Sequence, residues 1–173
     1  MTKILVVSGF LGAGKTTLIQ HLLQTALRNK KVLIIENDFG RVEIDEALLK
    51  SYPIQIENLN AGCICCSLRE SFQQALERAL THAPDYILVE PSGAAHLSEV
   101  LEVVLKLENQ GKAVFVKAIS VLDARRFLEY RKYYRNLLDD QVEYADLILL
   151  SHQQNINPIA KMQLSRLLRS QNP

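Results

Sequence analysis

Gly9-Phe10-Leu11-Gly12-Ala13-Gly14-Lys15-Thr16 fits the pattern G-x-x-x-x-G-K-[ST]. The apolar run Lys3 to Ser8 before it reads as a buried strand, and Thr16 to Arg28 after it reads as a helix. A strand, a glycine loop and a helix in that order make a cradle for phosphate. Gly9, Gly12 and Gly14 let backbone N–H groups, Ala13 and Thr17 among them, turn around an anion. The helix N-terminus adds a favourable dipole. Lys15, expected in a solvent-facing loop, can reach the β- and γ-phosphates of a nucleotide, and the Thr16 hydroxyl can ligate Mg²⁺. A dinucleotide fingerprint is excluded, because the three glycines do not make G-x-G-x-x-G.

Outward from this loop the chain alternates strands and helices. Strands are expected at Val32 to Glu36, Ile54 to Leu59, Tyr86 to Glu90, Ala113 to Leu122 and Asp146 to Ser151. The first helix carries Leu18, Ile19, Leu22, Leu23, Ala26 and Leu27 on one stripe. Ser67 to Thr81 is a second helix, with Leu68, Phe72, Ala75, Leu76, Ala79 and Leu80 facing inward. His96 to Asn109 is a third, ending before Gly111. Asp123 to Leu138 reads as mostly helix. A last helix spans Pro158 to Ser170, with Asn157 as N-cap and Pro158 in its first turn. Continuous apolar strands separated by helices predict a mostly parallel sheet covered on both faces, a three-layer α/β/α arrangement. The 173 residues fit one domain, 1–173, with neither repeats nor an internal linker.

Composition narrows the function classes. Lys+Arg 20 against Asp+Glu 19 leaves a net charge of +1, so no global field draws in nucleic acid or an anionic membrane. Aromatic residues are 6% and Trp is absent, which argues against base-stacking platforms. The apolar runs fall far short of the roughly 20 residues that span a bilayer. The N-terminus enters its first strand at once and leaves no room for a cleavable signal, so a cytoplasmic location is expected.

Two strands end in acids. In parallel sheets ligands sit beyond the carboxyl ends of strands. Glu90 would then lie near the phosphate loop, where a carboxylate holds Mg²⁺ directly or through water. Pro91-Ser92-Gly93 follows it, and the Gly93 N–H is placed to sense a γ-phosphate. The second strand runs into Glu36-Asn37-Asp38-Phe39-Gly40. Asp38 can position Mg²⁺ or the attacking water, and Glu36 can instead turn toward the cysteines Cys63, Cys65 and Cys66. Asp45 is either a third acid of the site or the cap of a short helix, Glu46 to Lys50.

All the cysteines fall within Gly62-Cys63-Ile64-Cys65-Cys66. An odd, clustered set is a poor disulfide framework and points to metal or redox chemistry. Thiolates before a helix can bind Zn²⁺ or another borderline-soft ion, and the helix N-terminus lowers their pKa. Either all three ligate with one further group, or two do so with a carboxylate.

GFLGAGKTT (Gly9 to Thr17), ENDFG (Glu36 to Gly40), GCICC (Gly62 to Cys66) and EPSG (Glu90 to Gly93) follow one another as in the CobW-type metallochaperone GTPases, which this chain resembles over essentially its whole length. These are relatives of the urease and hydrogenase nickel-insertion GTPases. The resemblance implies a P-loop GTPase fold, hydrolysis of Mg²⁺–GTP and transfer of a metal, commonly Zn²⁺ or Co²⁺, to a client protein. Three departures stand out. Asp38 and Arg41 replace two acids of the usual E-N-E-F-G-E, so a different or thinner metal set is expected. After the strand ending at Leu150 the family carries N-K-x-D, whose Asp reads guanine; here Ser151-His152-Gln153-Gln154 contains no acid. Family members also continue past the position of Asn172-Pro173, usually into a C-terminal domain; this chain is expected to lack it, as a truncated form or as a reduced member.

Three functions are consistent with these residues. The first is an enzyme that hydrolyses GTP, or ATP, with Lys15, Asp38 and Glu90 at the reacting phosphate, and couples turnover to delivery of Zn²⁺ or Co²⁺ to a client metalloprotein. A homodimer is an open alternative to the monomer. The second is a nucleotide- and metal-binding regulatory module with little turnover. The third is an ATP-using kinase, for which the sequence shows no acceptor-binding motif.

Overall fold

The computed structural model describes residues 1–36, 54–58 and 68–173. Among them six strands form one sheet: β1 (Lys3–Ser8), β2 (Val32–Glu36), β3 (Ile54–Asn58), β4 (Tyr86–Glu90), β5 (Val114–Asp123) and β6 (Leu147–Ser151), in the spatial order β3-β2-β4-β1-β5-β6. Every neighbouring pair is parallel. All strands therefore end at the same edge, and β1 delivers its following loop to the middle of that edge.

Among the described residues six α-helices surround the sheet: α1 (Lys15–Gln24), α2 (Leu68–Thr81), α3 (Leu97–Asn109), α4 (Phe127–Tyr130), α5 (Arg135–Glu143) and α6 (Pro158–Gln171). The side chains of β1 alternate between two cores. Ile4 and Val6 pack with Leu76 and Ala79 of α2 and with Leu97, Val104 and Leu107 of α3. Leu5 and Val7 pack on the other face with Ile19 and Leu23 of α1. A third cluster joins α4, α5 and α6 through Phe127, Leu138, Val142, Leu164 and Leu168. The α/β sheet covered on both faces is thus as expected from the continuous apolar strands.

Three features differ from expectation. The regular part of α1 stops at Gln24, and turns carry the chain through Leu27, which is buried while Ala26 is exposed. The span Asp123 to Leu138 is two short helices separated by turns, not one. Tyr130 and Tyr134 there turn toward Phe10, with ring centroids 5.1 and 5.2 Å from it. α5 then continues past Leu138 to Glu143. Its last turns hide a buried glutamine, Gln141, at a core position, which interrupts the apolar period. Finally, β6 is an edge strand and is only half-buried, with Leu147 exposed. The Asn157 cap is observed: its side chain accepts from the Ile159 N–H at 2.9 Å. The expected helix at Glu46 to Lys50 and its Asp45 cap lie outside the described residues, as does the side chain of Leu68.

Asp139 ties α5 to the chain before it. Arg131 donates to both of its carboxylate oxygens, at 2.5 and 2.8 Å, and Arg135 adds a longer contact at 3.4 Å. Burial pushes the Asp139 carboxyl up, but hydrogen bonds from Arg131, Gln171 and Arg135 and the Arg131 charge outweigh it and hold the pKa below the usual 3.8. A pKa lowered by folding adds stability above the unfolded value, and that stability is lost as pH falls through the folded value. Asp139→Asn is expected to destabilise the protein by about 1 kcal/mol near neutral pH. The gap to the parent should close as pH falls below the carboxylate range. Urea melts near pH 7 and near pH 3 check this, and an equal gap at both would exclude the ion pair as its cause.

Candidate functional site

The loop Gly9–Gly14 leaves β1 and enters α1 under tight constraint. Gly9 has φ +142°, and a Cβ there would stand 2.2 Å from the Val121 carbonyl oxygen of β5. Only glycine lets the chain lie this close to the neighbouring strand. Ala13 closes the loop on itself: its N–H donates to the Phe10 carbonyl at 3.1 Å, and its methyl is buried in the α1 core. α1 is capped by Gly14 in a left-handed conformation, with no side-chain cap and no acid in the first turn. The helix therefore presents its N-terminal N–H groups and dipole without a built-in competitor, as an anion site requires.

Lys15 is the first residue of α1 and is only 5% exposed, which corrects the expectation of a solvent-facing lysine. Its Nζ lies 3.9 Å from Glu90 Oε1. The same oxygen accepts from the Thr16 hydroxyl at 3.3 Å. The end of β4 is thus joined to the start of α1 through an ammonium, a hydroxyl and a shared carboxylate. Thr17, one residue on, is exposed. Glu36 ends β2 in register with Glu90, and both are buried. The strand order brings these two acids to adjacent positions although 54 residues separate them in sequence. Together with Thr16 they form a set of hard oxygen donors, the chemistry that suits Mg²⁺.

Gly93 closes the site from the β4 side. A Cβ on it would approach the Leu11 backbone nitrogen to 2.7 Å, so the segment after Glu90 lies directly against the phosphate loop. At the opposite side a Cβ on Gly14 would be 3.9 Å from the Ser151 Cβ, which puts the end of β6 beside the loop. His152 there has φ +53°, and Gln153 Nε2 donates back to the Leu150 carbonyl at 2.9 Å. Asp38, Arg41, Cys63, Cys65 and Cys66 lie outside the described residues. Among the described residues no three His, Cys, Asp or Glu side chains gather in a metal-binding cluster. Nor is any helix among them long and apolar enough to cross a membrane.

Two groups near the site were missed in the sequence. Asp123 ends β5 as Glu90 ends β4, so the same rule of strand-end acids could have found it. Burial pushes its carboxyl up, but Arg125 donates to it from side chain and backbone and holds it below the usual value. Gln141 donates to the carbonyls of Gly93 and Ala95. Its only sequence signal was a polar residue where an apolar one would continue the helix stripe.

Known proteins share this fold and, in part, this sequence. The zinc chaperone YeiR of Escherichia coli K12 is 31% identical over 167 residues, which covers 96% of this chain and 51% of the relative. The zinc chaperone YjiA of the same organism is 32% identical over 155 residues, covering 86% of this chain and 48% of the relative. The chain spans about half the length of these curated relatives. The crystal structure of Zn(II)-bound YjiA GTPase from E. coli superposes with a TM-score of 0.65 at 24% identity, over 96% of this chain and 54% of that one. The hydrogenase maturation factor HypB of Archaeoglobus fulgidus gives 0.64 at 15% identity, over 96% and 76%. These two superpositions establish the fold. The CobW/HypB/UreG nucleotide-binding domain family matches residues 3–173, and the chain belongs to that family.

Proposed function

We propose that residues 1–173 form a single nucleotide-binding domain that binds and hydrolyses Mg²⁺–GTP and couples the nucleotide state to delivery of Zn²⁺ or Co²⁺ to a client metalloprotein in the cytoplasm. The observation that carries this reading is the joining of Lys15, Thr16 and Glu90 at the N-terminus of a helix free of side-chain caps. Membership of the family and the zinc-chaperone names of its relatives support the metal half.

Lys15 and the loop N–H groups offset charge on the transferred phosphoryl group. Thr16, Glu90 and Glu36 would hold Mg²⁺, which when bound neutralises charge on the phosphate oxygens. Asp38 orients the attacking water. Gly93 senses the terminal phosphate, and the segments around Glu36 and Cys63 to Cys66 respond to its loss. Coupling of this kind requires metal affinity to differ between the triphosphate and diphosphate states. Release of free phosphate from GTP, measured with and without Zn²⁺ on metal-stripped protein, tests the reading. A phosphorylated product other than phosphate would indicate a kinase.

The end of β6 favours a second reading, a nucleotide- and metal-binding module with little turnover. A carboxylate there would accept from guanine N1–H and N2–H₂ and reject adenine, which lacks those donors. Ser151 to Gln154 supplies none, and the Gln153 amide already serves the Leu150 carbonyl. Loss of such a discriminator forfeits on the order of 10²-fold selectivity. GTP should therefore be preferred over ATP by less than about 100-fold, and Gln154→Asp should raise the preference. Calorimetric titration of both nucleotides checks this. A parent preference above that limit would show that backbone groups or a partner read the base.

A further inference from the structure

Helix α5 presents two consecutive polar residues to the segment that follows β4. Gln141 is fully buried, and its Nε2 donates to the carbonyl oxygens of Gly93 at 3.3 Å and Ala95 at 3.1 Å. Two acceptors fix the amide orientation, because only its NH₂ end can donate to a carbonyl. Its Oε1 is then left buried with no hydrogen-bond partner among the described residues. An apolar residue here would remove the unmet Oε1 but take the donor from the Gly93 and Ala95 carbonyls. The side chain is thus poorly matched to packing and well matched to holding the two carbonyls.

Asp140 takes the other end of the same segment. Its Oδ1 accepts from the Ser98 N–H at 3.2 Å, and its Oδ2 lies 3.7 Å from His96 Nδ1. The gripped segment is the one that touches the phosphate loop through Gly93 and Leu11. α5 is itself anchored, since Asn172 Nδ2 donates to the carbonyls of Val142 and Ala145, each at 2.7 Å.

We propose that Gln141 is a positioning residue for the phosphate site, whose amide sets the Gly93–Ala95 backbone against the loop Gly9–Thr16. The proposal rests on the reading of Gly93 as the contact to the terminal phosphate. The loop alone grips the phosphates that a diphosphate retains. Gln141 acts only on the strand of backbone that meets the additional phosphate.

The test is Gln141→Met, which keeps the length and loses both donors, with Gln141→Glu as a more polar companion. Affinities for GDP and for a non-hydrolysable GTP analogue are measured with Mg²⁺, together with amide exchange. The expected result is an approximately tenfold loss of affinity for the triphosphate analogue, with GDP affinity unchanged. Exchange should quicken at Gly93 to Ser98 and stay unchanged in β1 and α1. Equal weakening of both nucleotides, or no change in either, overturns the proposal. Failure of both variants to fold also overturns it, since Gln141 would then be a structural residue. A parent that binds neither nucleotide rejects the reading of the site itself, which the parent titration separates from the other outcomes.

Discussion

Lys15→Ala is expected to cut triphosphate binding or turnover by about a hundredfold or more. The lysine is the cation that the phosphate loop supplies, and its reach to the β- and γ-phosphates is the chemistry of the motif. Its position in the folded chain adds a second consequence. The ammonium is buried and lies 3.9 Å from Glu90, which stands in register with the buried Glu36. Removing it takes an ammonium from beside the buried Glu90. A fall in stability of about 1–3 kcal/mol is expected beside the functional loss. Lys15→Met keeps most of the aliphatic stem and separates packing from charge. Thermal melts and phosphate-release assays on both variants, with and without Mg²⁺, check the prediction. A variant that folds and hydrolyses GTP like the parent would remove Lys15 from the site.

The parts of this site that the sequence revealed are those whose chemistry is local. Gly9 to Thr16 is one continuous motif, and β1, β2 and β4 have the expected bounds because apolar runs there meet abrupt polar or glycine boundaries. Glu90 was legible as an acid at a strand end. Its pairing with Glu36 was not, because that adjacency depends on β2 lying beside β4 in the sheet order. The depth of Lys15 was misread for a related reason. A motif states what a side chain can reach and says nothing of how deeply the fold seats it beside the end of β4. Gln141 was hidden twice over. It lies 48 residues from Gly93, and a polar residue at a core position looks like the end of a helix stripe. The same amide that makes α5 hard to read is the one that grips the Gly93 segment.

Cys65→Ser and Cys66→Ser are each expected to weaken Zn²⁺ or Co²⁺ binding by about a hundredfold or more. The magnitude follows from sharing roughly 10–16 kcal/mol of Zn²⁺ binding among four ligands, so that one thiolate is worth about 3 kcal/mol. A hydroxyl is a poor substitute for a soft thiolate. The cysteines follow β3 and precede α2 in sequence. β3 ends at Asn58, in register with Glu36. Cys63 follows five residues later, a span of at most about 18 Å of extended chain. On the other side α2 begins at Leu68, two residues after Cys66 in sequence. Metal-stripped protein should take up about one Co²⁺ per chain or per dimer and show thiolate charge-transfer absorption. Competition with a chelator then gives the affinity of each variant. Unchanged affinity in the triple Cys63, Cys65 and Cys66 variant would sink the assignment. If Cys63→Ser alone is harmless, two thiolates bind with a carboxylate, and Glu36→Gln should weaken the metal as strongly as a lost cysteine. If Glu36→Gln instead alters only the Mg²⁺ dependence of turnover, Glu36 belongs with Glu90 and Thr16. Nucleotide and metal would then communicate through the chain between β2 and α2 without sharing a ligand.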